Sequence, residues 1–335
     1  MKVLVTGGSG YVGQHLVKEL SEKHKVSYTY ANHPLCDIEN VERYKVDFLT
    51  GEGFDECFAN QKYDAIVNCA ALAQPIICAE NPDTARQLNV PRYLLTSLRK
   101  HLGLASQPVL SSSPSPSRTS SPPLIIHLST DQIYPDHHPL WTEEDKPEPV
   151  NVYGETKLMA ESCLDELWPR EEGLACVILR CSLIVGPPPP YGIGKSTFVQ
   201  FIEKSTTSEE NPGVFLTDEY RNPVLVYDIV DVCRTLLEWR KKDEEENGAP
   251  SKKLPYRVYN FGGPDRLNRY EMALEVSRQL GRDPNKVLIA KTSDQIPPKC
   301  FKSPLDISMD SSRLSEVFGI NPKSFAEAVS ISLKK

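Results

Sequence analysis

No apolar stretch of this 335-residue chain approaches the ~20 residues that a membrane span needs. Its start, "MKVLVTGGSGYVG", offers no long apolar segment ahead of the glycines. These absences predict a cytoplasmic protein with no membrane partner. Basic charge is also short: 38 Lys and Arg stand against 45 Asp and Glu, a net charge of −7. Nucleic-acid binding usually leaves a basic face, so no nucleic-acid partner is expected. Nine cysteines are an odd number, and no two stand in Cys-x-x-Cys spacing. That argues against a disulfide framework or a structural zinc site and for reduced thiols. No metal is expected either, because His137 and His138 sit in a Pro-flanked loop without a ligand set around them.

What is present is alternation. "KVLVT" (2–6), "KVSYTY" (25–30), "AIVNCA" (65–70), "LIIHLS" (124–129) and "ACVILR" (175–180) read as buried strands. Between them, 12–23, 82–101 and 152–168 read as helices. Strands alternating with helices predict an α/β protein with a parallel sheet covered on both faces. Two segments interrupt the pattern. Residues 105–123 are Ser/Pro-rich, cannot bury a core, and read as a disordered surface insertion. Residues 241–253, "KKDEEENGAPSKK", read as a charged loop after the helix "DIVDVCRTLLEWR". Toward the C-terminus, 256–263 reads as a further strand. "NRYEMALEVSRQLG" reads as a helix capped by Gly281, and "DSSRLSEVFG" as a short helix begun at Asp310.

"VTGGSGYVGQHLV" puts Gly7, Gly10 and Gly13 on the first strand-to-helix turn. A tight turn, close backbone approach and the free N–H groups of a helix start suit a pyrophosphate, so the loop predicts dinucleotide binding. Farther along, Tyr153 and Lys157 stand four apart on one helix face, after a strand that ends in Ser129 and Thr130. A nearby ammonium favours a phenolate, so Lys157 is expected to lower the tyrosine's pKa and fit it for acid–base work. Thr130, or Ser129 beside it, would hydrogen-bond the same substrate oxygen. The second Tyr-x-x-x-Lys, Tyr191 to Lys195, follows four prolines and contains two glycines, and it reads as surface. A P-loop at "GIGKS" is excluded because residue 189 is proline, not glycine.

Together the Thr-Gly-x-x-Gly-x-x-Gly loop, the Ser129-Thr130 strand end and Tyr153-x-x-x-Lys157 resemble the short-chain dehydrogenase/reductase family. Within it, "STDQIYPDHHPLWTEEDKPEPVNVYGETKLMAE" is similar to dTDP-4-dehydrorhamnose reductases and to the regulatory β subunit of methionine adenosyltransferase, as are 67–90, 221–233 and 303–314. The resemblance implies a Rossmann-type doubly wound parallel sheet with a smaller, discontinuous C-terminal substrate lobe. The dinucleotide-binding part would span 1–182, rejoined by 226–261, and the lobe 183–225 with 262–335. It further implies that Gly7, Gly10, Tyr11 and Val12 hold a pyrophosphate and that Asp47 and Phe48 flank the adenine. Ala70 and Ala71 would line the ribose, and Asn89 would orient the active-site helix. Thr130, Tyr153 and Lys157 would be catalytic, the last two also touching cofactor. Arg221 and Lys302 are cations for a sugar-nucleotide phosphate or, equally, solvated surface groups.

NAD-specific relatives carry an acid at the end of the second strand, where this chain has "TYANHP". NADP(H) is therefore favoured over NAD(H), with Asn32 or His33 left to help hold the 2′-phosphate. Two functions stay open. The first is an NAD(P)H-dependent reductase of a 4-keto nucleotide sugar, the second an NADP-binding regulatory subunit that partners a methionine adenosyltransferase catalytic subunit. The resemblance also allows a homodimer.

Overall fold

The computed structural model describes residues 1–59, 61–104, 121–192, 197–247, 254–298 and 300–334. Most of the expected insertion, 105–120, lies outside the described residues, as do Lys195 and the rest of 193–196.

Strands β1 (Lys2–Thr6), β2 (Lys25–Tyr30), β3 (Glu42–Lys45), β4 (Ala65–Asn68), β5 (Leu124–Thr130) and β6 (Cys176–Cys181) join Val258–Phe261 in one seven-stranded sheet. The order is Val258–Phe261, β6, β5, β4, β1, β2, β3, and every neighbouring pair is parallel. The strand order reverses between β1 and β4, the place where open α/β sheets bind ligands.

Alternation in the strands sends side chains to opposite faces. Val3, Val5, Val67, Ile126 and Leu128 pack in one core with residues of α1 (Tyr11–Ser21) and of a long helix, Val226–Asn247. Leu4, Ile66, Ile125 and Ile178 face the other core, with α5 (Arg92–His101) and α6 (Val152–Leu167). Each fully buried aliphatic side chain contributes about 1.5–3 kcal/mol, so this double burial is what holds the sheet.

Two expectations need correction. The helix expected over 82–101 is two helices, α4 (Pro82–Asn89) and α5, preceded by α3 (Pro75–Glu80). Pro91 offers no N–H and keeps Val90 extended, at φ −87° and ψ 115°. The charged stretch from 241 is not a loop as far as Asn247, because the Val226–Asn247 helix continues through it. Arg240–Glu244, Lys241–Glu245 and Lys242–Glu246 pair one turn apart along it, each worth a few tenths of a kcal/mol. Residues 248–253 lie outside the described residues.

A third core gathers Val185, Val199, Phe215, Leu225, Met272, Val276, Phe325 and Val329. Three short ladders frame it: Ile184–Val185 with Val224–Leu225, Tyr220–Arg221 with Leu267–Asn268, and Gly213–Leu216 with Leu288–Lys291. Gly281 (φ 68°) and Gly319 (φ 67°) end the helices before them in the left-handed conformation.

Candidate active site

At the reversal of strand order a cleft of about 850 Å³ opens, lined by Gly7, Gly10, Asp47, Phe48, Ala70 and Ala71 among others. Its floor is fitted for close approach. Gly7 has φ 66°, and a Cβ there would lie 2.8 Å from the Ala70 Cα. A Cβ on Gly13 would lie 2.3 Å from the Gly7 carbonyl oxygen, so the loop and α1 can pack this tightly only with glycine. Gly10 precedes α1 without a side-chain cap, leaving the first-turn N–H groups of Tyr11 and Val12 without intrahelical acceptors. An anionic group fits such a cradle.

The side chains of Tyr11 and Val12 are engaged away from the cleft. The Tyr11 hydroxyl donates to the Pro187 carbonyl at 3.0 Å, and Val12 packs against the core. Phe48 is held edge-on against Phe54, ring centroids 5.1 Å apart. The Asp47 carboxylate accepts from the Leu49 N–H at 2.7 Å and shapes the loop after β3. Asn89 stands behind the cleft. Its amide oxygen accepts from the Leu72 N–H at 2.6 Å, and its amide nitrogen donates to the Thr156 hydroxyl at 2.8 Å, which ties α4 to α6.

At the start of α6, Asn151 caps the helix by accepting from the Gly154 N–H at 3.0 Å. Tyr153, Lys157 and Glu161 then follow at four-residue steps, all buried. Burial pushes the Tyr153 phenol up, opposed by a hydrogen bond with Thr130 and reinforced by the Asp131 carboxylate. The expected lowering by Lys157 is therefore not what the geometry shows. The Lys157 ammonium turns to the sheet instead, donating to the Leu128 carbonyl at 2.6 Å and lying 3.2 Å from His127 Nε2. Burial lowers Lys157 from 10.5 to about 8, while Glu161, Cys181 and Cys69 pull it upward.

The choice between Ser129 and Thr130 is decided by which way the strand points them. Ser129 faces α6 and donates to Glu161 Oε1 at 2.5 Å, where Arg180 also binds the carboxylate through two nitrogens. Thr130 points toward Tyr153, donates to Asp131 Oδ1 at 3.1 Å and accepts from the Gln132 N–H. Asp131 also accepts from Ser182 at 2.9 Å. Arg221 is not a surface group. Buried, it donates to the carbonyls of Tyr220, Leu305 and Pro304, and burial lowers it to about 10. Lys302 is exposed and pairs with Asp136 at 3.4 Å.

Sequence reasoning passed over four residues at this site. Lys45, at the end of β3, lines the cleft beside Tyr30, Ala31 and Asn32, and its ammonium has no partner among the described residues. Nothing in "ERYKVDF" marks it. His127, Asn68 and Glu161 are buried around Lys157. The histidine did leave a signal, as the one titratable group inside the apolar run "LIIHLS".

Known proteins with these features were found by sequence and by shape. Residues 3–260 match the NAD dependent epimerase/dehydratase family. Methionine adenosyltransferase 2 subunit beta of Rattus norvegicus is 26% identical over 82% of this chain and 71% of its own length. The dTDP-glucose 4,6-dehydratase of Escherichia coli is 30% identical over 84% of this chain and 76% of its own. Among solved structures, a hypothetical dTDP-4-dehydrorhamnose reductase from Sulfolobus tokodaii superposes with a TM-score of 0.70 at 23% identity, covering 97% of this chain and 98% of that one. A dTDP-4-dehydrorhamnose reductase from Bacillus anthracis in complex with NADP gives 0.72 at 16% identity, covering 98% of this chain and 97% of that one.

Proposed function

The chain belongs to the NAD dependent epimerase/dehydratase family and has its NAD(P)-dependent oxidoreductase architecture, and from that premise we propose that it is an NAD(P)H-dependent reductase of a 4-keto nucleotide sugar, with Tyr153 as proton donor. The observation that supports this reading is buried Tyr153 hydrogen-bonded with buried Thr130, with buried Lys157 one turn farther along α6. Cys69 connects these residues to the dinucleotide cleft, since it lines the cleft and also acts electrostatically on Lys157.

Gly7 and Gly10 and the first-turn N–H groups of α1 would hold the pyrophosphate, with Phe48 and Asp47 at the adenine and Ala70 and Ala71 at the ribose. The nicotinamide, when bound, supplies the hydride. The protein supplies the proton. Because burial raises the Tyr153 phenol, it stays protonated at neutral pH and can donate to a carbonyl oxygen as charge develops there. Thr130 holds the phenol by a hydrogen bond, and Asn89 and Asn151 fix the helix that carries it. NADP(H) is favoured over NAD(H) because the end of β2 has no acid and Lys45 supplies a cation beside it.

The test is NADPH and NADH oxidation with dTDP-4-keto-6-deoxy sugars in wild type and Tyr153→Phe. Turnover that falls at least 100-fold in the variant, as loss of a general acid predicts, is the expected result. Cofactor binding without turnover would sink the reductase reading. It would also favour a second one, a regulatory partner of a methionine adenosyltransferase. The similarity to subunit beta supports that alternative, and for the Danio rerio protein it extends over 99% of this chain at 23% identity.

A further inference from the structure

Lys157 is not alone under the cleft. Thr6, Asn68 and His127 are direct cross-strand neighbours on β1, β4 and β5, all buried on the face that α6 covers. Thr6 Oγ1 lies 2.5 Å from Asn68 Oδ1, Asn68 Nδ2 lies 2.8 Å from His127 Nδ1, and His127 Nε2 lies 3.2 Å from Lys157 Nζ. An unbroken polar row thus runs across three strands of the sheet, from the residue before Gly7 to the lysine one turn after Tyr153.

Two polarities keep every link of this row hydrogen-bonded, and only the second partners the lone pair of a lysine amine. With Lys157 as an ammonium, Nζ donates to the Leu128 carbonyl and to His127 Nε2. His127 then carries its proton on Nδ1 and donates to the Asn68 oxygen, and the Asn68 amide donates to Thr6. With Lys157 as an amine, the polarity reverses. Thr6 donates to the Asn68 oxygen, the Asn68 amide donates to His127 Nδ1, and His127 Nε2–H donates to the lysine lone pair, while an amine N–H still serves Leu128. The amide orientation placed in the structure matches the second arrangement. The two states differ by one proton, exchanged with solvent.

We propose that Thr6, Asn68 and His127 act as a positioning ladder for Lys157, reversing their hydrogen-bond polarity and the His127 tautomer when the lysine gains or loses its proton. A buried lysine ordinarily strands a donor or an acceptor in one of its two forms, at a cost of about 1–3 kcal/mol. Here each form keeps His127 Nε2 and the Leu128 carbonyl hydrogen-bonded, so the lysine can change charge while its neighbours stay partnered. The other titratable groups acting on Lys157 are Glu161 on α6, Cys181 on β6 and Cys69 after β4. His127 itself stays neutral, because burial and the adjacent lysine hold it well below the usual imidazole range.

The bearing of the ladder on catalysis rests on the proposed function, but its test does not. Protein labelled with ¹⁵N at its seven histidines is titrated by NMR from about pH 6.5 to 9.5. His127 is assigned by the signal lost in His127→Gln. The expected result is an Nδ1–H tautomer at low pH that passes to Nε2–H near the lysine's titration, with the change lost in Lys157→Met. A single tautomer across the range overturns the ladder, and so does a change that persists in Lys157→Met. A coupled tautomer change in a protein that shows no sugar turnover would uphold the ladder and remove only the reductase reading.

Discussion

Lys157 is a buried cation whose burial cost is visible in its titration, since it falls from 10.5 to about 8. Below about pH 8 both folded and unfolded chains hold the proton, and the folded state bears the full cost. Between about 8 and 10.5 only the unfolded chain holds it, so stability rises with pH across that window. Lys157→Met is therefore expected to gain about 3 kcal/mol on wild type at neutral pH from the lost charge, offset by about 1–3 kcal/mol for leaving the Leu128 carbonyl without its donor. Denaturant titrations repeated toward pH 10.5 should show that advantage shrink, and a constant difference would contradict the assignment. Lys45 makes a separate case. Arg43 is engaged by Asp37 and Lys25 by Glu42, which leaves Lys45 as the cation facing the cleft from β3. Lys45→Ala should weaken NADPH binding about tenfold and leave NADH nearly unchanged, read by fluorescence titration. Equal losses for the two cofactors would place the 2′-phosphate elsewhere.

Among the elements, α6 carries the site, and its sheet-facing side is polar over three turns rather than apolar. Tyr153 and Lys157 are followed by Glu161, which pairs with Arg180 on β6 at 2.8 Å, both side chains about 6% exposed. Removing one partner of such a pair strands a buried charge. Arg180→Ala is expected to cost about 3–5 kcal/mol, while the double variant Arg180→Met/Glu161→Leu should recover most of it. Chemical denaturation of the three variants checks this, and a mild single variant would mean that water reaches Glu161. The break at Val90-Pro91 also belongs here. It ends α4 where Asn89 can reach both Leu72 and Thr156, so a proline in the chain places a side chain that steadies α6.

For the molecule as a whole, the same architecture serves two kinds of relative. One is named as a methionine adenosyltransferase subunit and another as a sugar-nucleotide dehydratase, with similar coverage of this chain. The fold cannot choose between them, because function belongs to the site and its partners. Among the described residues no helix is long and apolar enough to cross a membrane. The third core, assembled from 185–225 and 272–329, packs its own apolar residues apart from the sheet. Its arginine in the Tyr220–Arg221 strand donates to the carbonyls of 304 and 305 and so anchors that segment to the strand.

The sequence by itself determined the parallel sheet, the glycine cradle on its first turn and the spacing of Tyr153 and Lys157. Each of these is written locally, in a period of two, a period near 3.6, or a turn that admits only glycine. It misjudged where helices stop, because Pro91 and the ion pairs beyond Arg240 act over a single turn that apolar periodicity does not register. Tertiary structure alone decided that Thr130 rather than Ser129 faces Tyr153, that Arg221 is internal, and that Lys157 turns to His127. The contacts responsible, Ser129 to Glu161, Arg221 to Pro304 and Lys157 to His127, join residues 32, 83 and 30 positions apart. Such pairs are set by strand register, and nothing in either local stretch specifies its partner.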